Sequence, residues 1–124
     1  MMEEEIVLST LPKTWIFDLD GTLVTHNGYL LDGKDTLLPG AKKYLAELPA
    51  EDKVLIVTSR TEEYQEMTEL FLAKNGIRYD AIFYGLPMGE RILVNDAKPS
   101  GLQTAYAFNL KRDDFFLPEV CRSL

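Results

Sequence analysis

Trp15-Ile16-Phe17-Asp18-Leu19-Asp20-Gly21-Thr22-Leu23 decides the fold. An apolar run beginning at Thr14 is cut off by an acid at Asp18, a second acid follows two residues later, and Gly21 permits a sharp turn. This pattern reads as a buried strand over Thr14 to Phe17 that ends at Asp18 and delivers polar groups at its carboxyl end. Downstream, Gly21 to Pro39 is rich in Gly, Asp, Asn and Thr, too irregular for a helix, and long enough to contain a small β-excursion or flap. Pro39-Gly40 opens a helix that runs from Ala41 to Leu48, where Pro49 closes it.

The next apolar, β-branched run, Lys53-Val54-Leu55-Ile56-Val57, reads as a second buried strand ending at Thr58-Ser59. An amphipathic helix is expected from about Glu62 to Lys74, with Asn75-Gly76 at its end. Two further strands fit Ala81 to Tyr84 and Arg91 to Val94, the latter running into Asn95-Asp96. A short helix from about Gly101 and a last strand over Tyr106 to Leu110 complete the expected set, leaving a tail through Phe115-Phe116-Leu117-Pro118. Alternating strands and helices imply parallel pairing with crossover helices. The fold expected is therefore a single α/β domain over residues 1–124, Rossmann-like, in three α/β/α layers, with a mainly parallel five-stranded sheet, a short flap and no large cap.

In such sheets ligands sit beyond the carboxyl ends of the strands. Collecting the polar residues there gives Asp18 and Asp20, then Thr58 and Ser59, then Asp96 and Lys98. Converging carboxylates repel unless a cation joins them, and an all-oxygen set favours Mg²⁺ over zinc. A carboxylate can attack phosphorus to give an acyl phosphate, and a second carboxylate two residues along an extended chain can protonate the leaving oxygen and later activate water.

The segment Asp18-Leu19-Asp20-Gly21-Thr22-Leu23 resembles the first motif of the haloacid dehalogenase superfamily, most of whose members are phosphatases. The resemblance implies that Asp18 is nucleophile and Mg²⁺ ligand, and that Asp20 is general acid and base and a ligand through its backbone carbonyl. It implies that Gly21 makes the turn, that Thr58, with Ser59 as a less secure neighbour, binds phosphoryl oxygens, and that Asp96 is the acidic metal ligand of the fourth motif. The match runs from Trp15 to about Leu110. The third-motif cation departs from the pattern. Lys74 ends the long helix, where the helix dipole favours a solvated cation. Lys98, just beyond Asp96, is the first choice, and Arg91 is the alternative. Placed at the start of its strand, Arg91 would lie about 16 Å from Asp96.

The intervals from Asp20 to Thr58 and from Thr58 to Asp96 leave no room for a large cap, so the expected mouth is open. It suits a protruding substrate, or one covered by a neighbouring subunit of a homo-oligomer. A small phosphorylated metabolite, such as a sugar phosphate, is the expected substrate of a Mg²⁺-dependent phosphomonoester hydrolase. A non-catalytic or regulatory binding domain and a phosphotransferase are the alternatives. The sole histidine, His26, reads as a substrate contact or a solvated loop residue. The net charge of -7 argues against long nucleic acid and anionic membranes as partners. Cys121 is the only cysteine, no apolar run approaches a bilayer span, and the N-terminus carries acids where a signal peptide carries positive charge, so a cytoplasmic location is expected.

Overall fold

The computed structural model describes residues 5–123. Strands β1 (Glu5–Leu8), β2 (Thr14–Asp18), β3 (Lys53–Val57), β4 (Ala81–Phe83) and β5 (Glu119–Arg122) and helices α1 (Gly28–Leu31), α2 (Ala41–Glu47) and α3 (Gln65–Lys74) follow one another in the order β1-β2-α1-α2-β3-α3-β4-β5. A 3₁₀ turn over Glu62–Tyr64 leads into α3. Among the described residues no helix is long and apolar enough to cross a membrane.

The strands form two parallel sheets, β2-β3-β4 and β1-β5. In the larger one Phe17 pairs with Ile56, which pairs with Ile82. One face carries Phe17, Val54 and Ile56, which share a core with Ala41 and Leu45 of α2 and Leu72 of α3. Burying these side chains removes most of their apolar area from water, at about 25 cal/mol per Å². The opposite face is more open: Ile16 is 53% and Phe83 50% exposed.

Buried polar groups fix the strands in register. Asp52 accepts from the Lys13 backbone N–H at 3.0 Å and from Trp15 Nε1 at 2.9 Å, joining the entrances of β2 and β3. Arg78 donates to the carbonyls of Leu48, Pro49 and Asp52 at 2.6, 2.9 and 2.8 Å. Those carbonyls lie just past the end of α2, where helical partners run out. Leu48 is extended, ψ 144°, as a residue before proline should be.

Two expectations are corrected. The five-stranded sheet is a three-stranded sheet plus a separate pair, and the pair joins the chain's two ends. The second correction concerns 84–118, which contains no strand or helix: neither Arg91 to Val94 nor Tyr106 to Leu110 is a strand, and no helix follows Gly101. Strand preference is expressed through packing on neighbours. Ile92 and Val94 have none to pack on, being 84% and 88% exposed, and β4 remains the edge of its sheet. With that stretch unfolded into coil, the three-layer arrangement is also not formed. At its far end the tail does return to the core: Phe115 stacks against Phe17 and meets Tyr44 edge-on, with Leu117 packed nearby, whereas Phe116 is exposed.

Candidate active site

Parallel pairing of β2 and β3 puts Asp18 beside Val57, so the polar residues ending both strands emerge at one edge of the sheet. The turn after Asp18 is pinned from within. Leu19 is buried and its carbonyl accepts from the N–H groups of Leu23 at 2.9 Å and Val24 at 3.1 Å, while Gly21 N–H donates to Val24 O at 2.7 Å. Gly21 has φ +82°, and a Cβ there would also meet Arg112 Cγ at 3.3 Å, so both conformation and space call for glycine. The following loop, 24–37, is closed by an antiparallel bridge between Val24 and Leu37 and by Thr25 N–H donating to Thr36 O at 2.9 Å. It is a short flap, but it carries the helix α1, where the sequence leads one to expect none.

The Asp18 carboxylate is 39% exposed and has two partners. Arg91 Nη1 donates to Oδ1 at 3.0 Å, and Thr22 Oγ1 donates to Oδ2 at 3.3 Å. Arg91 is itself 41% exposed, so solvent screens this pair and it contributes about 0–1 kcal/mol. An incoming anion could take over the arginine at small cost. Arg91 lies in coil rather than at the start of a strand, and from there it reaches Asp18. Lys98 is exposed, its carbonyl accepts from Gly101 N–H at 2.9 Å, and Arg91 is the cation found on Asp18.

Asp20 sits in a different environment. Arg60 grips it with two bonds, Nε to Oδ2 at 3.0 Å and Nη2 to Oδ1 at 2.9 Å. The same guanidinium grips Asp35 of the flap, Nη2 to Oδ1 at 2.6 Å and Nη1 to Oδ2 at 3.0 Å, and donates to Thr68 Oγ1 of α3 at 2.8 Å. Its Cζ lies 3.8 Å from the ring centroid of Tyr29, which meets Tyr64 edge-on. The Arg60 side chain is fully buried. Burial alone would weaken its hold on its proton, but hydrogen bonds and charge from Asp20 and Asp35 outweigh that, and the guanidinium is held above its ordinary range. Tyr29 is pushed up by burial and then by the Asp20 charge.

Thr58 is buried, and its hydroxyl accepts from the Arg60 backbone N–H at 3.0 Å. Its own hydroxyl proton remains available. Ser59 lies between the two at the same strand end. Asp96 is exposed in the coil, its carbonyl accepting from Thr104 Oγ1 at 2.8 Å. Thus Asp18, Asp20, Gly21, Thr58 and Arg91 share one end of the sheet, and Asp96 and Lys98 are not brought to them.

Among the described residues no three of His, Cys, Asp and Glu group to hold a metal ion. A hard divalent cation needs less: Mg²⁺ is often held by one or two carboxylates with water and substrate phosphate completing its shell. The Asp18 carboxylate and the Asp20 backbone carbonyl are the two oxygens that could do so, since Arg60 bonds the Asp20 side chain. The donor chemistry suits Mg²⁺.

Arg60 is the functional candidate that pattern reading passed over. Its signal was its place, a cation two residues past Thr58 at the same strand end, which reads as an ordinary cap region until Asp35 is seen to fold over it.

This is an α/β chain with a parallel sheet and an acidic site at the sheet's carboxyl edge. No family model and no curated protein matches it. It is similar to a chain in a solved structure, "Structure of the Pnkp1/Rnl/Hen1 RNA repair complex", at 36% identity and a TM-score of 0.52, over 62% of this chain and 27% of that one. The present chain thus spans about a quarter of that chain's length.

Proposed function

We propose that this protein is a Mg²⁺-dependent phosphomonoester hydrolase of haloacid dehalogenase type that carries the phosphoryl group on Asp18. The observation that carries this reading is the environment of Asp18: a partly exposed carboxylate at a strand end, with the cation of Arg91 on one oxygen, the Thr22 hydroxyl on the other and Asp20 two residues on. The motif through Leu23 supports it.

In this reading Asp20, an ionised partner of Arg60 in the free protein, takes up a proton from solvent as the phosphate ester binds; an Asp18 oxygen then attacks phosphorus, the bond from phosphorus to the ester oxygen breaks, and Asp20 gives that proton to the ester oxygen. Water then attacks the phosphoryl group, its proton passes to Asp20, and phosphate leaves with Asp18 restored. Arg91 turns from the carboxylate to the phosphoryl oxygens, and the Thr58 hydroxyl donates to them. The Asp18 carboxylate and the Asp20 carbonyl would hold Mg²⁺, which would supply positive charge to offset the repulsion between carboxylate and phosphate.

The absence of a cap between Asp20 and Thr58 supports an open mouth, and a small phosphorylated metabolite such as a sugar phosphate is the substrate class we favour. The RNA repair complex in which the similar chain occurs adds phosphorylated RNA ends to the panel worth testing. Turnover of p-nitrophenyl phosphate with Mg²⁺ should fall about a thousandfold or more in Asp18→Asn. Retention of more than about a twentieth of wild-type activity would remove Asp18 as nucleophile. A rate that rises with added alcohol acceptors would make the protein a phosphotransferase, and Mg²⁺-dependent vanadate binding without turnover would make it a binding domain.

A further inference from the structure

The Arg60 cluster is more than a buried ion pair. Its two carboxylates come from separate places: Asp20 follows the nucleophile strand, and Asp35 belongs to the flap. One guanidinium cannot shift toward either without loosening the other, because its donors are shared between Asp20, Asp35 and Thr68, and its face is covered by Tyr29. Tyr29 also lies on the flap, within α1, and Tyr64 backs it from the turn before α3. An arginine fork holds a carboxylate in one plane, which a single-point lysine contact does not do.

Resting on the phosphatase reading above, we infer that Arg60 is a positioning residue that makes the flap, through Asp35 and Tyr29, set the orientation of the Asp20 carboxylate toward the leaving group. Each Asp20 oxygen accepts one bond from Arg60 and keeps a second lone pair. Arg60 therefore aims the carboxylate without using it up. Among the described residues no hydrogen bond or ion pair joins Asp35 or Tyr29 to Asp18 or Arg91, and both contact Arg60, which is bonded to Asp20.

A misplaced proton donor has a signature that general loosening lacks. An ester whose leaving group is an alkoxide needs the proton, whereas p-nitrophenolate leaves with little help. The test compares kcat on phenethyl phosphate with kcat on p-nitrophenyl phosphate in one preparation. The ratio of the two is independent of the fraction of folded protein, so a partly unfolded variant still gives a usable answer. Asp35→Asn, which keeps one acceptor oxygen and removes the charge, should lower that ratio by about tenfold, and Arg60→Lys by more. Asp52→Asn, a buried carboxylate at the other end of the strands, should lower stability and leave the ratio unchanged. An unchanged ratio in both Asp35→Asn and Arg60→Lys, with the wild type active, overturns the inference and spares the phosphatase reading. A ratio lowered as much by Asp52→Asn as by Asp35→Asn also overturns it. A wild type that hydrolyses neither ester in Mg²⁺ overturns both.

Discussion

Two parts of the molecule use similar residues in opposite ways. From Thr14 to Phe83 apolar side chains face one another: Val54, Ile56 and Leu72 are fully buried. From Tyr84 to Pro118, Phe115 and Leu117 return to the core but several comparable residues stand in water, with Met88 91%, Ile92 84% and Val94 88% exposed. The second region is nevertheless tied to the first at several points. Gly85 and Leu86 N–H groups donate to the carbonyls of Arg60 at 2.7 Å and Thr58 at 3.1 Å, Arg91 reaches Asp18, and Asp113 both donates to Gly21 O at 2.8 Å and accepts from His26 N–H at 2.7 Å. Almost all these ties fall on the site and few on the core. The first region holds the chemistry rigidly, and the second lays polar groups across its mouth.

If that division is right, substitutions should fall steeply in effect from one region to the other. Ile56→Ala or Leu72→Ala should cost about 2–5 kcal/mol in urea unfolding, through lost burial and the cavity left. Asp52→Ala should cost about 1–3 kcal/mol, because it orphans the Lys13 N–H and Trp15 Nε1. Ile92→Ala and Val94→Ala should stay within about 0.5 kcal/mol, as exposed substitutions do. A cost for Val94→Ala comparable with that for Ile56→Ala would place 91–94 in a core and dissolve the contrast. Amide exchange gives the same comparison without mutation: β3 amides should exchange last and those of 91–109 first.

A smaller effect tests the seam between the regions. The Tyr84 hydroxyl donates to Glu69 Oε2 at 3.0 Å. Burial, then that bond to a carboxylate, raises its pKa above the ordinary 10.0. The folded state favours the neutral phenol, so its contribution to stability is complete below pH 10 and fades as pH rises beyond it. Urea midpoints of wild type and Tyr84→Phe should therefore differ at pH 8 and converge at still higher pH; a gap that widens above pH 10 would reverse the assignment.

What could be read from the sequence follows from the same division. β2 and β3 are legible because uninterrupted apolar runs end in polar residues, and α2 is bracketed by Pro39-Gly40 and Pro49. Asp18, Asp20 and Thr58 are placed at one edge by those strands alone. Arg91 to Val94 has equally good strand composition, yet composition does not supply a neighbour, and the segment lies in water. β1 and β5 escape notice for the reverse reason: they pair across nearly the whole chain, Ile6 with Val120, a non-local match no short window contains. Arg60 needed the flap folded over it before its two carboxylates could be seen together.

The proposed function turns on a phosphoryl group carried by Asp18. Acid-quenching the wild-type protein during turnover with Mg²⁺ and a labelled phosphomonoester, then mapping the label by peptide, tests it most directly. A hydroxylamine-labile label on the peptide containing Asp18, absent from Asp18→Asn, is expected. Steady phosphate release with no label, or with the label on another peptide, would contradict it.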